Sequence, residues 1–157
     1  MSIAILKERP DTPDALELLT GLDADLRQYD YPPESCHAFS VDKLIREGVA
    51  FFVTRCGGVA AGCGGVKLFG TEYGEVKRMY VRPEFRGRGL AKAMLDRLAE
   101  YALAHEVRIL RLETGIYQAE AIGLYERCGY QRCPPFGEYR EDPMSVYLEK
   151  NIAPPGS

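Results

Sequence analysis

A glycine-rich segment at residues 86–91 (Arg-Gly-Arg-Gly-Leu-Ala) separates a strand-like stretch from a long amphipathic stretch with helical periodicity. The first turn of a helix has backbone N–H groups without intrahelical partners, and it carries the positive end of the helix dipole. Glycines in front of that turn let a ligand approach the backbone closely. The segment therefore predicts a site for a phosphate or pyrophosphate group.

The stretches around this loop also constrain the topology of the sheet. Residues 75–82 form a predicted strand, and residues 108–114 form the next one. Between them, Leu90, Met94 and Leu98 recur at helical spacing, with polar residues on the opposite face. A strand, a long helix and a second strand form a right-handed crossover between parallel strands. We therefore expect one parallel pair in the second half of the chain.

The remaining segments predict antiparallel strands and short helices. Helices are expected after Thr12 and Ser40, whose hydroxyls suit an N-cap, and at residues 118–128. We find no internal repeat and no linker, and we expect a single domain over residues 1–150 with a flexible tail over residues 151–157. The other strands are expected at residues 3–7, 49–54, 59–68, 130–133 and 144–149, with a tight turn at residues 57–58.

The composition argues against several classes of function. The 157-residue chain has a net charge of −3, whereas nucleic-acid binding needs a basic face. No apolar stretch is long enough to cross a bilayer, and the N-terminus lacks a secretion signal, so we expect a cytoplasmic protein without membrane contacts. The chain has five cysteines without paired spacing, so we expect no disulfide framework. With only two histidines and no paired cysteines, we also expect no metal site.

Two common phosphate-binding loops do not fit the glycine-rich segment. A Walker A loop ends in Gly-Lys followed by Ser or Thr, a combination that this chain lacks. A dinucleotide-binding fingerprint needs three spaced glycines early in a β-α-β unit, whereas Gly87 and Gly89 follow four predicted strands. The segment therefore represents another class of phosphate loop.

Two blocks in the second half of the chain resemble the GNAT superfamily of N-acetyltransferases, in its bacterial small-molecule type. The family's loop reads Gln/Arg-x-x-Gly-x-Gly/Ala, and Arg86, Gly89 and Ala91 match it. Residues 121–130 (AIGLYERCGY) are similar to a second family block. The resemblance extends over residues 49–150. It implies an α/β fold: a mixed, mostly antiparallel sheet with a central parallel pair of strands that splay apart, and helices on both faces.

The resemblance implies acetyl-CoA as co-substrate and no metal. The pyrophosphate would bind to the backbone amides of the loop, and the pantetheine arm would pair with the backbone of the preceding strand. Gln118 stands where the family often has Asn. The implied cofactor-binding residues are Met79, Tyr80, Val81, Arg86, Gly87, Arg88, Gly89, Leu90, Ala91, Gln118, Ala121 and Tyr125.

The resemblance also implies two catalytic residues. Tyr125 matches the family's general acid, which returns a proton to the departing CoA thiolate, and a free phenol is still protonated at neutral pH. Glu75 stands where some members place a general base, which the amine needs because it is mostly charged at neutral pH. Backbone N–H groups near Met79 and Tyr80 would polarise the thioester carbonyl. The amine would attack the thioester directly, so no cysteine nucleophile is expected.

The acceptor side of the site is predicted from loops rich in tyrosine and acidic residues. The expected acceptor is a primary amine of a small molecule. A protein lysine or N-terminal acetyltransferase remains an alternative, as does a non-catalytic acyl-CoA-binding regulatory module, and the resemblance also allows a homodimer. The candidate substrate-binding residues are Tyr29, Tyr31, Glu34, His37, Glu138 and Tyr139.

Overall fold

The computed structural model describes residues 2–33 and 40–154. The observed strands begin and end within two residues of the predicted ones. The elements in chain order are β1 (Ile3–Lys7), α1 (Pro13–Arg27), α2 (Val41–Arg46), β2 (Ala50–Cys56), β3 (Val59–Phe69), β4 (Tyr73–Val81), α3 (Leu90–Ala104), β5 (Ile109–Gly115), α4 (Ala119–Arg127), β6 (Gln131–Arg132) and β7 (Ser145–Asn151).

The strands form one mixed sheet in the order β1-β2-β3-β4-β5-β7-β6. The β4–β5 pair is parallel, and the other neighbouring pairs that the structure describes are antiparallel. The crossover through α3 connects the two parallel strands, as the sequence predicted. The expected α/β fold with a mostly antiparallel sheet and one central parallel pair is therefore confirmed.

The parallel pair is held together over a very short distance. Gly74 pairs with Leu110 and Glu75 pairs with Arg111, and in the described part of the chain the ladder ends there. β4 nevertheless continues to Val81, and β5 continues to Gly115. The two strands therefore separate directly after Glu75 and leave a slot in the middle of the sheet.

A β-bulge interrupts β4 within the slot. Cys63 of β3 pairs with Tyr80, whereas Gly65 pairs with Lys77, so two residues of β4 stand opposite one residue of β3. Arg78 at the bulge has a φ of 57°, in the left-handed region. The Cys63 thiol donates a hydrogen bond of 3.3 Å to the Arg78 carbonyl. This hydrogen bond therefore stabilises the bulge from β3, which adjoins β4 on the side opposite to β5.

Helices cover both faces of the sheet, as expected from the resemblance. Adjacent residues of a strand point to opposite faces, and Phe51 and Phe52 show this directly. Phe51 packs in a buried cluster with Leu18 of α1 and Leu44 of α2. Phe52 packs in a separate cluster with side chains of α3 and α4, among them Leu98. The two cores hold the sheet between the helical layers.

Side-chain caps fix the start of the first two helices. The Thr12 hydroxyl accepts a hydrogen bond of 3.1 Å from the Ala15 N–H. The Ser40 hydroxyl accepts a hydrogen bond of the same length from the Lys43 N–H. An N-cap of this kind stabilises a helix by about 1 kcal/mol. Both caps agree with the positions predicted from the sequence.

The C-terminal strand continues beyond the predicted end of the domain. β7 includes Asn151, and the Ile152 N–H donates a hydrogen bond to the Arg108 carbonyl. The Ile152 side chain packs against the core. The expected tail at residues 151–157 therefore cannot begin before residue 153. Among the helices that the structure describes, none has the length and apolarity needed to span a bilayer.

Candidate active site

A cavity of about 500 Å³ occupies the slot where β4 and β5 separate. β4 contributes one wall, with Glu75 at the point of separation, and β5 contributes the other. The end of α1 and the following loop close one side of the cavity, with Tyr29 and Tyr31 in its lining. Tyr125 of α4 and Tyr139 of the β6–β7 loop also line it. The slot therefore brings together residues from five separate parts of the chain.

Glu75 is a buried carboxylate at the closed end of the slot, with 4% of its surface exposed. The Tyr139 hydroxyl donates a hydrogen bond of 2.6 Å to Oε2 of Glu75. The Lys77 ammonium donates one of 2.9 Å to the same oxygen. Among the described residues, no group donates to Oε1. One oxygen of the carboxylate is thus fixed by the protein, and the other remains able to accept a proton.

The two donors to Glu75 are themselves shielded from water. Burial lowers the pKa of Lys77, and the Glu75 carboxylate opposes that shift. Burial also raises the pKa of Tyr139, and the charge of Glu75 adds to that effect. Tyr139 therefore remains a protonated donor at neutral pH.

Tyr125 is almost fully buried on the face of α4 that packs against the core. Its ring makes an edge contact with Tyr130 at a centroid distance of 5.8 Å. Burial raises the pKa of Tyr125, and Cys128 and Glu113 add to the shift. The phenol is therefore protonated across the neutral range and available as a donor. Tyr125 is both a core residue and part of the slot lining.

The glycine-rich loop has the geometry of an open anion site. Gly87 and Gly89 have φ values of 79° and 74°, in the left-handed region where a side chain is strained. A Cβ at either position would meet no atom of the described residues within 4 Å, so the space beside them is open. Gly89 is the N-cap of α3 and has no side chain that could cap the first amides. These features fit a pyrophosphate group held by backbone N–H donors.

The two arginines of the loop already have partners in the protein. Arg86 donates a hydrogen bond of 2.9 Å to the Val81 carbonyl and forms an ion pair of 2.8 Å with Asp25 of α1. Arg88 lies over the Phe85 ring at 5.3 Å. In this structure the Arg86 side chain ties the loop to β4 and α1. Direct contact of Arg86 or Arg88 with a phosphate stays a prediction.

The other predicted cofactor residues differ in what they can offer a ligand. Leu90 is buried in the core, and its backbone is at the first turn of α3. Tyr80 lies beneath α1, where a Cβ at Gly21 would approach its hydroxyl to 2.7 Å. Gln118 immediately precedes α4, and its buried Nε2 has no hydrogen-bond partner among the described residues. Met79 lines the slot, and Ala121 packs against the core.

The predicted substrate-binding tyrosines are in the slot region. The Tyr31 hydroxyl accepts a hydrogen bond of 2.9 Å from the Tyr117 N–H, at the start of α4. The Tyr29 ring stacks on the Tyr117 ring at 6.0 Å. Partial burial raises the pKa of Tyr31. The predicted residues Glu34 and His37 lie outside the residues that the structure describes.

A second, larger cavity of about 1490 Å³ adjoins the slot. Glu75, Lys77 and Tyr139 line both cavities. Glu138, another predicted substrate-binding residue, lines the larger cavity with the rest of the β6–β7 loop. Its walls include aromatic rings, among them Tyr73. The carboxylate of Glu75 therefore lies at the boundary between two spaces that small molecules can enter.

Two residues of the site were not singled out from the sequence. Lys77 follows Glu75 by two positions, and residues two apart in a strand share a face, so this spacing could have indicated the pair. Arg78 lines the slot, with 7% of its side chain exposed and an ion pair of 2.6 Å to Asp23. Its left-handed backbone had no sequence signal, because glycine and asparagine are the usual residues in that conformation.

The described cysteines have free thiols and no arrangement suited to catalysis. Burial raises the pKa of Cys63 to about 12, although the charge of Arg78 opposes the shift. A thiol of this kind is a poor nucleophile at neutral pH. Cys56 is buried as well, and Cys128 and Cys133 are half-buried. Within residues 2–33 and 40–154, no three His, Cys, Asp or Glu side chains form a group that could hold a metal ion.

Comparison with known proteins relates this site to a family. Residues 16–130 match the model of the Acetyltransferase (GNAT) family. The chain is 38% identical over 153 residues to the IAA acetyltransferase of Azospirillum brasilense, covering 96% of this chain and 99% of that protein. The matched range includes the glycine-rich loop, Glu75 and Tyr125.

Solved structures share the fold over nearly the whole chain. A Klebsiella pneumoniae protein with the provisional name acyl-CoA N-acyltransferase superposes with a TM-score of 0.81 at 34% identity, covering 96% of this chain and 98% of that one. The PaiA N-acetyltransferase of Thermoplasma acidophilum, solved in complex with coenzyme A, superposes with a TM-score of 0.78 at 18% identity, covering 96% and 99%. The latter likeness concerns the fold alone.

Proposed function

The chain belongs to the GNAT family of acetyltransferases, and from this premise we propose that it transfers the acetyl group of acetyl-CoA to a primary amine of a small molecule. The observation that carries the proposal is the slot between β4 and β5. It begins at the buried carboxylate of Glu75 and contains the phenol of Tyr125 in its lining. One cavity therefore offers a carboxylate suited to act as a base and a phenol suited to act as an acid.

Acetyl-CoA supplies the activated acetyl group as a thioester. The first amides of α3, with the open space beside Gly87 and Gly89, fit its pyrophosphate. Beyond Glu75, β4 has no strand partner on the β5 side in the described part of the chain, which suits pairing with the amides of a pantetheine arm. The Klebsiella pneumoniae protein, 34% identical to this chain and provisionally named an acyl-CoA N-acyltransferase, supports an acyl-CoA as the co-substrate.

Glu75 acts as the general base. A primary amine with a pKa of ~10 is mostly protonated at neutral pH and must lose a proton before it attacks a carbonyl. Oε1 of Glu75 accepts that proton, while Tyr139 and Lys77 hold Oε2. The carboxylate lies at the boundary of the slot and the larger cavity, so an amine in either space has access to it.

Tyr125 acts as the general acid. Its phenol is protonated at neutral pH because burial raises its pKa. A neutral donor in the slot stabilises the negative charge on a departing thiolate and supplies its proton. Holding both reactants in one slot contributes to the rate as well, because the reaction becomes effectively unimolecular.

The experiment that tests this function presents acetyl-CoA with a panel of small primary amines and lysine-containing peptides. Mass spectrometry identifies the acetylated product, and a thiol reagent follows the release of CoA. We expect an N-acetylated small amine and intersecting initial-velocity lines, because both substrates must be bound together. Parallel lines would indicate a covalent acetyl-enzyme and contradict direct transfer. Acetylated peptides alone would favour the protein acetyltransferase, and binding without any product would favour the non-catalytic module.

A further inference from the structure

Lys77 is a buried cation that contacts the proposed base but not the reacting atoms. The side chain is 9% exposed, and its ammonium is 2.9 Å from Oε2 of Glu75, whose side chain is 6% exposed. Both residues belong to β4 and point to the same face of the sheet, because they are two positions apart. Taking two charges out of water costs several kcal/mol for each ion, and the contact between Lys77 and Glu75 offsets part of that cost.

The two charged strand neighbours of Glu75 form ion pairs with other residues. Lys67 of β3 is the strand neighbour of Glu75 but forms an ion pair with Glu47 of α2. Arg111 is its neighbour in β5 but forms an ion pair of 3.0 Å with Glu149. Among the described residues, Lys77 is the cation that contacts the Glu75 carboxylate. Within the described residues, other titratable groups near this pair include Lys43 of α2, Tyr73 of β4, Tyr139 of the β6–β7 loop and, beside Tyr139, Glu113 of β5.

We infer that Lys77 is a positioning residue of this active site, whose ammonium compensates the charge of the Glu75 carboxylate and binds its Oε2, so that Oε1 faces no donor among the described residues. The inference rests on the proposed function of Glu75 as the base. Lys77 and Tyr139 both bind Oε2, which fixes the carboxylate from one side. A buried carboxylate without a cation nearby takes up a proton more readily, and a protonated carboxyl cannot serve as a base.

The proton balance of the step follows from this arrangement. Oε1 of Glu75 accepts one proton from the ammonium form of the amine and passes it to water before the nitrogen attacks. The neutral nitrogen then forms its bond to the acetyl carbon and gives a second proton to Oε1 as the bond between that carbon and sulfur breaks. Tyr125 protonates the sulfur and regains its proton from water. Lys77 keeps its own proton throughout and does not touch the reacting atoms. Release of the proton from Glu75 to water restores the ion pair for the next turnover.

The test compares Lys77→Met, which keeps much of the length but loses the charge, with Lys77→Arg, which keeps the charge. The readout is the pH profile of kcat/KM. We expect the acidic limb of Lys77→Met to move upward by about one pH unit or more, so that activity is about tenfold lower at pH values below the wild-type limb and recovers at higher pH. Lys77→Arg should keep its limb close to the wild-type position. An unchanged limb in Lys77→Met, or an equal loss at every pH, would overturn the inference.

A second measurement separates this inference from the proposed function. A ¹³C NMR titration follows the Glu75 carboxyl, identified by the signal that Glu75→Gln lacks, and it needs no enzymatic activity. The midpoint should lie at higher pH in Lys77→Met than in the wild type, and an unchanged midpoint would refute the role of Lys77. Absence of acetyl transfer in the wild type would instead refute the proposed function. Melting temperature and acetyl-CoA binding verify that each variant is folded.

Discussion

The Tyr139 hydroxyl, on the β6–β7 loop, donates a hydrogen bond of 2.6 Å to the buried Glu75 carboxylate, 64 residues earlier in the chain. A hydrogen bond to a charged group contributes about 1.5–3 kcal/mol. We therefore expect Tyr139→Phe to lower kcat/KM by about tenfold to a hundredfold. Steady-state kinetics measures this loss. Tyr147→Phe is the control, because Tyr147 lies in the same aromatic cluster but donates to the Arg140 carbonyl. Equal losses in both variants would refute a specific role for Tyr139.

Gly89 tests whether the loop binds the cofactor through its backbone. Gly89→Ala introduces a Cβ into open space at the first turn of α3, with a backbone penalty of about 1–2 kcal/mol. Gly48→Ala is the matched control, because Gly48 also has a positive φ and open space around it but lies next to α2. We expect the two variants to lose melting temperature by similar amounts. Only Gly89→Ala should increase the Kd for acetyl-CoA, by about tenfold. Calorimetry that found normal affinity in that variant would contradict the loop assignment.

Substitution of Gly115, the last residue of β5, tests the wall of the slot that is formed by the loop after α1. A Cβ at Gly115 would overlap the phenol of Tyr31, so Gly115→Ala should displace this tyrosine from the Tyr117 N–H. We expect the KM for the amine to rise about tenfold, because Tyr31 lines the slot. Gly123→Ala, in the middle of α4, controls for the loss of a glycine. An unchanged KM in Gly115→Ala would show that the Tyr31 wall does not contact the acceptor.

The buried thiol of Cys63 should lower the stability of the folded protein in alkaline solution. Burial raises the pKa of this thiol from 9.0 to about 12. The folded protein therefore keeps the proton where the unfolded chain has lost it. The contribution of this thiol to the free energy of unfolding is fully present below about pH 9 and is lost as the pH rises toward 12. At pH 10 we expect wild type to have lost roughly 1–2 kcal/mol more than Cys63→Ala, relative to pH 8. Urea unfolding at both pH values measures this difference, and parallel losses in the two proteins would contradict it.

The position of the slot could be predicted because its signals are local. The glycine-rich loop, the strand before it and the helix after it are contiguous, and their crossover dictates a parallel pair of strands. Residues 75 and 125 followed from the resemblance, and the structure brings both to one cavity. A short-range pattern thus fixes the topology and the approximate location of the site.

The contacts across the site could not be predicted, because they join distant segments. Tyr31 and Tyr117 are 86 residues apart, and nothing in either segment indicates the partner. The direction of the Arg86 side chain depends on Asp25 of α1, which lies 61 residues earlier. The bulge at Arg78 results from the pairing of β3 with β4, which the sequence of β4 alone does not reveal. Side-chain partners of this kind require the packed fold.

The measurement that tests the central claim most directly is acetyl transfer from acetyl-CoA labelled with ¹³C in the acetyl group to the best amine of the panel. Wild type, Glu75→Gln, Tyr125→Phe and Tyr130→Phe are compared under identical conditions. Tyr130 is the control, because it is buried beside Tyr125 and its hydroxyl has no assigned role. We expect labelled N-acetyl product from wild type and Tyr130→Phe, and rates about a hundredfold lower in the other two variants at normal acetyl-CoA affinity. Wild-type rates in Glu75→Gln and Tyr125→Phe would contradict the account.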